Sequence, residues 1–344
     1  VPERCALTVT NDVNPAPDLA SRIVVAIPTL NEAGHVEACI SSLGYQLDEL
    51  QKVHFVISDG GSSDSTRGIV KSIGVKSKNV FLLDNPEKLQ SAGVNCVANS
   101  EYAKGRDILI RCDAHAVYPK DYILRLARTL LKQAVASVVV PMDSVGQTCF
   151  AKAAAWVVHT PFGSGGAAHR GGKQSGFIDH GHHAAFDLSW FRKIGGYDPS
   201  FSHNEDAEFD KRLVEAGGRI WLDANIRLTY FMRPNLSGLA RQYRNYGRGR
   251  TKTLMKHRMR PRLRQALPLV LLGVLAASLL GGLLLHPIFF LGACAYLALL
   301  CAVTLMIAMQ HRTLCALWAG PALAAMHLAW AFGAVEMFVK QRFA

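Results

Sequence analysis

Short β-branched apolar runs that close on acidic motifs constrain this chain most. The run at 53–58 (VHFVIS) ends in Asp59, and the run at 107–112 (DILIRC) ends in Asp113. A third acidic motif, His203-Asn204-Glu205-Asp206, precedes a helix-like stretch. Carboxylates at the carboxyl ends of buried strands are where an open α/β sheet binds its ligand. Strand patterns at 22–27, 53–58, 79–83, 107–112 and 137–140 alternate with helical patterns at 33–43, from 65 towards 71, at 89–103 and at 120–133. That rhythm predicts an α/β domain with a mostly parallel sheet and helices on both faces. Beyond residue 141 the pattern changes. Residues 177–186 read as extended, 206–216 as helix and 219–222 as strand, while 163–176 is Gly-rich and reads as a mobile loop. That loop lacks P-loop spacing, since Ala167 and Gln174 stand where Gly and Ser or Thr are needed.

The end of the chain imposes a second constraint. Stretches 266–285, 288–309 and 314–335 are apolar and about 20 residues each, the length that spans a bilayer. The third contains Pro321 and His327 and could instead be re-entrant or interfacial. Of the formal net charge of +12, most lies at 233–264, which holds 11 Lys and Arg and no carboxylate. This block abuts the first apolar stretch, so it marks the cytoplasmic side and would attract anionic headgroups or phosphorylated lipids. The same position argues against nucleic acid as the partner. Three spans would put Lys340 and Arg342 outside, and two spans plus an interfacial helix would keep them inside. The expected divisions are a disordered lead-in at 1–20, a catalytic domain at 21–235, a basic amphipathic membrane-interface segment at 236–264 and an anchor at 265–344. The eight Cys follow no metal spacing and read as small buried hydrophobes in a reducing compartment.

Four segments in order carry a resemblance: Pro28-Thr-Leu-Asn-Glu32, Ser58-Asp-Gly-Gly-Ser-Ser-Asp64-Ser-Thr66, Arg111-Cys-Asp113-Ala-His115 and Asn204-Glu-Asp206-Ala-Glu-Phe209. Together they resemble the inverting family 2 glycosyltransferases of GT-A fold over about residues 21–232. The runs GFIDHGHHAAF and GGYDPSFSHNEDAEFD are similar to the membrane-anchored enzymes of succinoglycan-type exopolysaccharide assembly. The resemblance implies transfer of a hexose, glucose from UDP-glucose, onto a polyprenyl-diphosphate-linked saccharide. It implies the cytoplasmic face of a bacterial inner membrane, with other assembly enzymes as further partners. A polyprenyl-phosphate glycosyl synthase and a non-catalytic scaffold are the rival readings.

Roles follow from chemistry and resemblance together. Asp59, ahead of Gly60 and Gly61, can accept hydrogen bonds from a base or ribose, or close an Asx-turn. By resemblance Pro28, Thr29 and Glu32 line the same nucleotide pocket, and Ala114 joins Asp113 at the donor; Glu32 can equally open the following helix. Asp113 and His115, two residues apart in an extended segment, can face one divalent ion. Oxygen ligands suit Mg²⁺, and an imidazole moves the preference towards Mn²⁺. Resemblance makes Asp206 the base that takes the acceptor proton, with Glu205 beside it; the pair would also suit a helix N-terminus. Among His180, His182 and His183, alternation lets only the first two share a side; acceptor contacts, a structural role and a metal site remain open. Arg244 and Arg248 match phosphate geometry, for the donor diphosphate or the lipid diphosphate, and a plain electrostatic membrane collar is the competing reading.

Overall fold

The computed structural model describes residues 18–164 and 172–343. Most of the expected lead-in, and the centre of the Gly-rich loop with His169, lie outside the described residues, as do the side chains of Ser164 and His183. The first half alternates as its pattern dictates: β1 (Ile23–Thr29), α1 (Val36–Ser42), β2 (His54–Asp59), α2 (Thr66–Lys76), β3 (Val80–Asp84), α3 (Gln90–Asn99), β4 (Ile108–Arg111), α4 (Tyr122–Gln133) and β5 (Ser137–Val139). There follow β6 (Met142–Val145), α5 (Cys149–Val158), the single turn α6 (Pro161–Ser164), β7 (Gly176–Ile178), β8 (His183–Asp187), α7 (Leu188–Lys193), α8 (Glu205–Glu215), β9 (Ile220–Leu222) and β10 (Leu228–Phe231). Four long helices complete the chain: α9 (Leu236–Lys256), α10 (Leu263–Leu284), α11 (Leu291–His311) and α12 (Ala319–Arg342).

Eight strands form one sheet in the order β3-β2-β1-β4-β8-β5-β9-β7. Strands β1 to β4 pair in parallel, and β8 runs antiparallel between β4 and β5. The chain winds outward from β1 through β2 to β3, then returns to place β4 on the other side of β1. Ligands bind outside the carboxyl ends of strands at such a reversal. Side chains alternate along β1. Ile23, Val25 and Ile27 pack with α1, α2 and α4, while Val24 and Ala26 pack with α3, α7 and α8. Both faces are therefore dry, which is why these strands read as continuous apolar runs.

The extended reading of 177–186 holds at 177–178 and 183–186 but breaks at 179–182. The segment is split between β7 and β8, two strands that pair with different neighbours, with a bend at His180–His182. Helix α5 and the parallel ribbon β6–β10 were not anticipated. The cysteine expectation is also corrected, because Cys149 and Cys315 are bonded. Helix α5 packs on the short turn Leu314–Trp318, and the two Cα atoms stand 4.8 Å apart, within disulfide reach.

Helices α10, α11 and the segment containing α12 are each long and apolar enough to cross a membrane. Pro321 does not interrupt α12, because it falls in the first turn, where its nitrogen needs no partner. Helix α9 is more than a surface helix. It lies against α12, where Gly247 meets the Trp330 backbone and Gly333 meets the Arg244 backbone with no room for a Cβ.

Candidate functional site

Asp59 is buried at the end of β2, in register with Thr29 of β1 and Asp84 of β3. Its Oδ1 accepts from the Gly61 and Ser62 amides at 3.0 and 2.9 Å and from Arg67 Nη1 at 2.9 Å. Its Oδ2 accepts from Ser62 Oγ at 2.5 Å and Thr29 Oγ1 at 3.2 Å. Gly61 is required here, since its φ of +83° lies in the left-handed region. Burial opposes the Asp59 charge, but the Ser62 hydrogen bonds, then Arg67 and Thr29, hold its pKa below the ordinary value. Arg67 also pairs with Asp84 at 2.8 Å. The carboxylate thus organises the loop that ends β2. Pro28 is in register with Ser58 on the same rim.

Across β1, Asp113 follows the end of β4. Its Oδ1 accepts from Gln90 Nε2 at 2.5 Å, and its amide donates to Tyr118 Oη at 2.5 Å. Ala114 is buried behind it in the core. His115 Nδ1 lies 3.3 Å from Glu32 Oε1, and His35 Nδ1 is 3.0 Å from the other Glu32 oxygen. The contact with Glu32 raises the His115 pKa against the effect of burial. Asp113, His115 and His182 line one cleft together with Tyr118, Arg233 and residues 228–231 of β10. His182 bridges the two halves of the site: Nε2 is 3.8 Å from Asp113 Oδ2, and Nδ1 is 3.8 Å from Asp206 Oδ2. His180 turns elsewhere, to the buried Asp210 of α8 at 2.7 Å. The two imidazoles therefore meet different carboxylates and do not share one site.

Glu205 and Asp206 occupy the first turn of α8. The turn before it requires a left-handed residue, supplied by Asn204 at φ +65°. Sequence reasoning gave Arg111 no role, yet it is the hub of the site. Its side chain is 4 % exposed, and Nη1 donates to Asp206 Oδ1 at 2.6 Å and to Tyr197 Oη at 2.9 Å. Nη2 reaches Glu205 Oε1 at 3.2 Å, and Nε stands 3.7 Å from Asp113 Oδ1. Tyr197 Oη donates to Asp206 Oδ1 at 3.1 Å. Burial, then Asp206, raises the pKa of Glu205, while Arg111 opposes the rise. For Asp113, burial is outweighed by Arg111, His182 and His115, and its pKa is lowered. A cation inside an otherwise apolar strand end was the available signal, because an unpaired Arg is not buried in a sheet.

Arg244 and Arg248 are placed on α9 facing Glu336 of α12, at 2.8 and 3.7 Å. Helix α9 also buttresses the turn before α8. Asn245 Nδ2 lies 3.2 Å from His203 Nε2, Asn204 Nδ2 donates to Thr253 Oγ1 at 3.2 Å, and Gly249 abuts the His203 carbonyl.

A mostly parallel sheet with acids grouped at the reversal of strand order is the place where an open α/β sheet binds its ligand. Residues 24–195 match glycosyl transferase family 2. The chain belongs to this family and is a glycosyltransferase of GT-A fold. It is 43 % identical over 310 residues to the succinoglycan biosynthesis protein ExoA of Rhizobium meliloti (strain 1021), covering 90 % of this chain and 93 % of that one. It is 24 % identical over 233 residues to a dolichyl N-acetyl-alpha-D-glucosaminyl phosphate 3-beta-D-2,3-diacetamido-2,3-dideoxy-beta-D-glucuronosyltransferase of Methanococcus voltae, covering 65 % and 71 % of the two chains. The fold is shared with the mannosyltransferase PcManGT of Pyrobaculum calidifontis, solved with GDP-Man and Mn²⁺, at a TM-score of 0.57 and 18 % identity over 93 % and 88 % of the chains.

Proposed function

We propose that this chain is an inverting hexosyltransferase, moving glucose from UDP-glucose onto a polyprenyl-diphosphate-linked saccharide during exopolysaccharide assembly. The observation that carries the reading is the junction of Asp113 and Asp206 through Arg111 and His182. A single displacement needs the donor diphosphate and the acceptor base on opposite sides of one carbon; Asp113 lines the cleft, and Asp206 stands behind His182, which also lines it. Asp206 takes the proton of the acceptor hydroxyl as that oxygen bonds to the anomeric carbon. The bond to the diphosphate breaks in the same step. Glu205 shares the Arg111 guanidinium and helps to fix the loop. Asp59, Thr29, Pro28 and Glu32 shape the nucleoside side.

Asp113 fits a divalent ion, Mn²⁺ or Mg²⁺, with His115 and His182 on the same cleft wall. Among the described residues no three His, Cys, Asp or Glu side chains gather closely enough to hold an ion alone. That suits a metal bound by one or two protein groups and completed by substrate phosphates and water. When bound, the ion would neutralise the leaving diphosphate.

The similarity to the succinoglycan biosynthesis protein supports the exopolysaccharide setting. The apolar helices support a lipid-linked acceptor and a membrane enzyme, and the basic block before α10 favours a catalytic domain on the cytoplasmic side. Replacing Asp206 by Asn tests the role of the base. Transfer is expected to fall at least about 100-fold, with UDP-glucose affinity kept. Retained turnover would exclude Asp206 as the base.

A further inference from the structure

Arg233 sits where β10 gives way to α9, and the backbone around it is pinned on both sides. The Met232 amide donates to the Val145 carbonyl at 2.9 Å, and the Met232 side chain is buried in the core that α5 shares with α11 and α12. One residue beyond, the Pro234 carbonyl accepts from Thr148 Oγ1 at 2.9 Å. Asn235 then caps α9 by accepting from the Gly238 amide at 2.8 Å. Arg233 itself is exposed and lines the cleft together with Asp113, His115, Tyr118 and His182.

The other arginines considered for the site are committed to protein carboxylates. Arg111 holds Asp206 and Glu205, Arg67 holds Asp59 and Asp84, and Arg244 and Arg248 face Glu336. Arg233 donates no hydrogen bond and makes no ion pair among the described residues. An arginine on a convex surface is simply solvated. Arg233 stands in a concave site, in one cleft with a carboxylate that it does not pair with. Cleft walls focus the field of such a charge on an anion that enters. Its charge also acts on His115, which follows β4, and on His203, which precedes α8, so it reaches both halves of the site.

We propose that Arg233 is the guanidinium that binds a diphosphate in this cleft. A planar guanidinium can give two parallel hydrogen bonds to phosphate oxygens. A carboxylate and an unpaired guanidinium in one cleft suit a ligand that brings both signs of charge, and a diphosphate chelating a divalent cation is such a ligand. The nucleotide donor and the lipid-linked acceptor of the proposed reaction both carry a diphosphate. The inference rests on that reading and names a residue for it that the motifs do not.

The test uses the full chain in nanodiscs of neutral phosphatidylcholine with Mn²⁺, titrated in separate arms with UDP, with farnesyl diphosphate and with uridine. Arg233→Gln should weaken UDP or farnesyl diphosphate about tenfold or more and leave uridine, which has no phosphate, unaffected. A loss confined to UDP assigns the contact to the donor, and a loss confined to farnesyl diphosphate assigns it to the lipid; either upholds it. Arg244→Gln should change all three by less than about twofold. Thermal melting reports that each variant is folded. Should Arg233→Gln melt early, Arg233→Lys keeps the stem and the charge but loses the planar fork, and weakened diphosphate binding in it upholds the contact. Unchanged binding of both diphosphates in the folded variant would overturn the proposal, as would an equal loss for uridine. Arg233-dependent binding without any sugar transfer would sink the proposed reaction and leave the contact standing.

Discussion

Removing the Arg111 guanidinium is the perturbation with the most calculable outcome. Arg111 is 4 % exposed and faces Asp206, Glu205 and Asp113 at 2.6, 3.2 and 3.7 Å. Deleting one partner of a buried ion pair costs about 3–5 kcal/mol, because the remaining charge is left uncompensated. Arg111→Met should therefore lower stability by about that amount at pH 8. The sign of the pH effect follows from Glu205. Its folded pKa is already raised by burial and by Asp206, with Arg111 acting against the rise. A raised carboxyl pKa means that the folded state binds more protons, so stability falls as pH climbs through the window above the unfolded value of about 4.3. Without Arg111 that window widens, and the variant should regain stability as pH drops from 8 towards 5. Arg111→Lys keeps the charge but not the planar fork, so its loss should be smaller while transfer still falls about 100-fold from misplacement of Asp206. Melting temperatures from pH 5 to 8 and turnover measured on the same preparations read both effects. An Arg111→Met protein as stable as the parent at pH 8, with no gain on acidification, would refute the hub.

Three further outcomes are expected. Burial opposes the charge of Asp198, but hydrogen bonds from Lys256 and Ser200 bring its pKa down to about 2. Its stabilising contribution is present above about 3.9 and lost as pH falls towards 2, so the melting gap between parent and Asp198→Asn should close over that range; a constant gap would exclude the pairing. Gly247→Val would drive a side chain into the Trp330 backbone of α12 and should cost about 1–3 kcal/mol, read by thermal melting in detergent. Because α12 lies along α9, which buttresses the catalytic loop, a reporter fused after Ala344 should report the same side of the membrane as one fused at the catalytic domain; opposite sides would make α12 a full span independent of α9.

The parallel half of the fold was legible because β1, β2, β4 and β5 are buried on both faces and read as apolar runs, and the half-buried edge strand β3 is still mostly apolar. The switch-point acids Asp59 and Asp113 could be placed for the same reason. Helix α5 escaped notice because it is apolar except at Lys152, with Phe150, Ala154 and Val157 in one core with residues of α11 and α12. No local period marks a helix whose partners lie over 140 residues away. The break at 179–182 between β7 and β8 had one local sign, Gly181, which packs against Val139 with no room for a Cβ. Arg111 has no role readable from its own motif, since its partners Glu205 and Asp206 arrive from α8. The same holds for the basic block: charge count marked a collar, and only the partners show that Arg244 and Arg248 face Glu336 of α12.

The central claim is best tested by giving purified enzyme a panel of nucleotide hexoses, with Mn²⁺ or Mg²⁺ and membranes carrying prenyl-diphosphate saccharides, and reading the anomeric configuration of the product by NMR. The account predicts transfer from UDP-glucose with inversion, requiring both a saccharide on the lipid and Asp206. Retention of configuration, or equal transfer to bare prenyl phosphate, would contradict it.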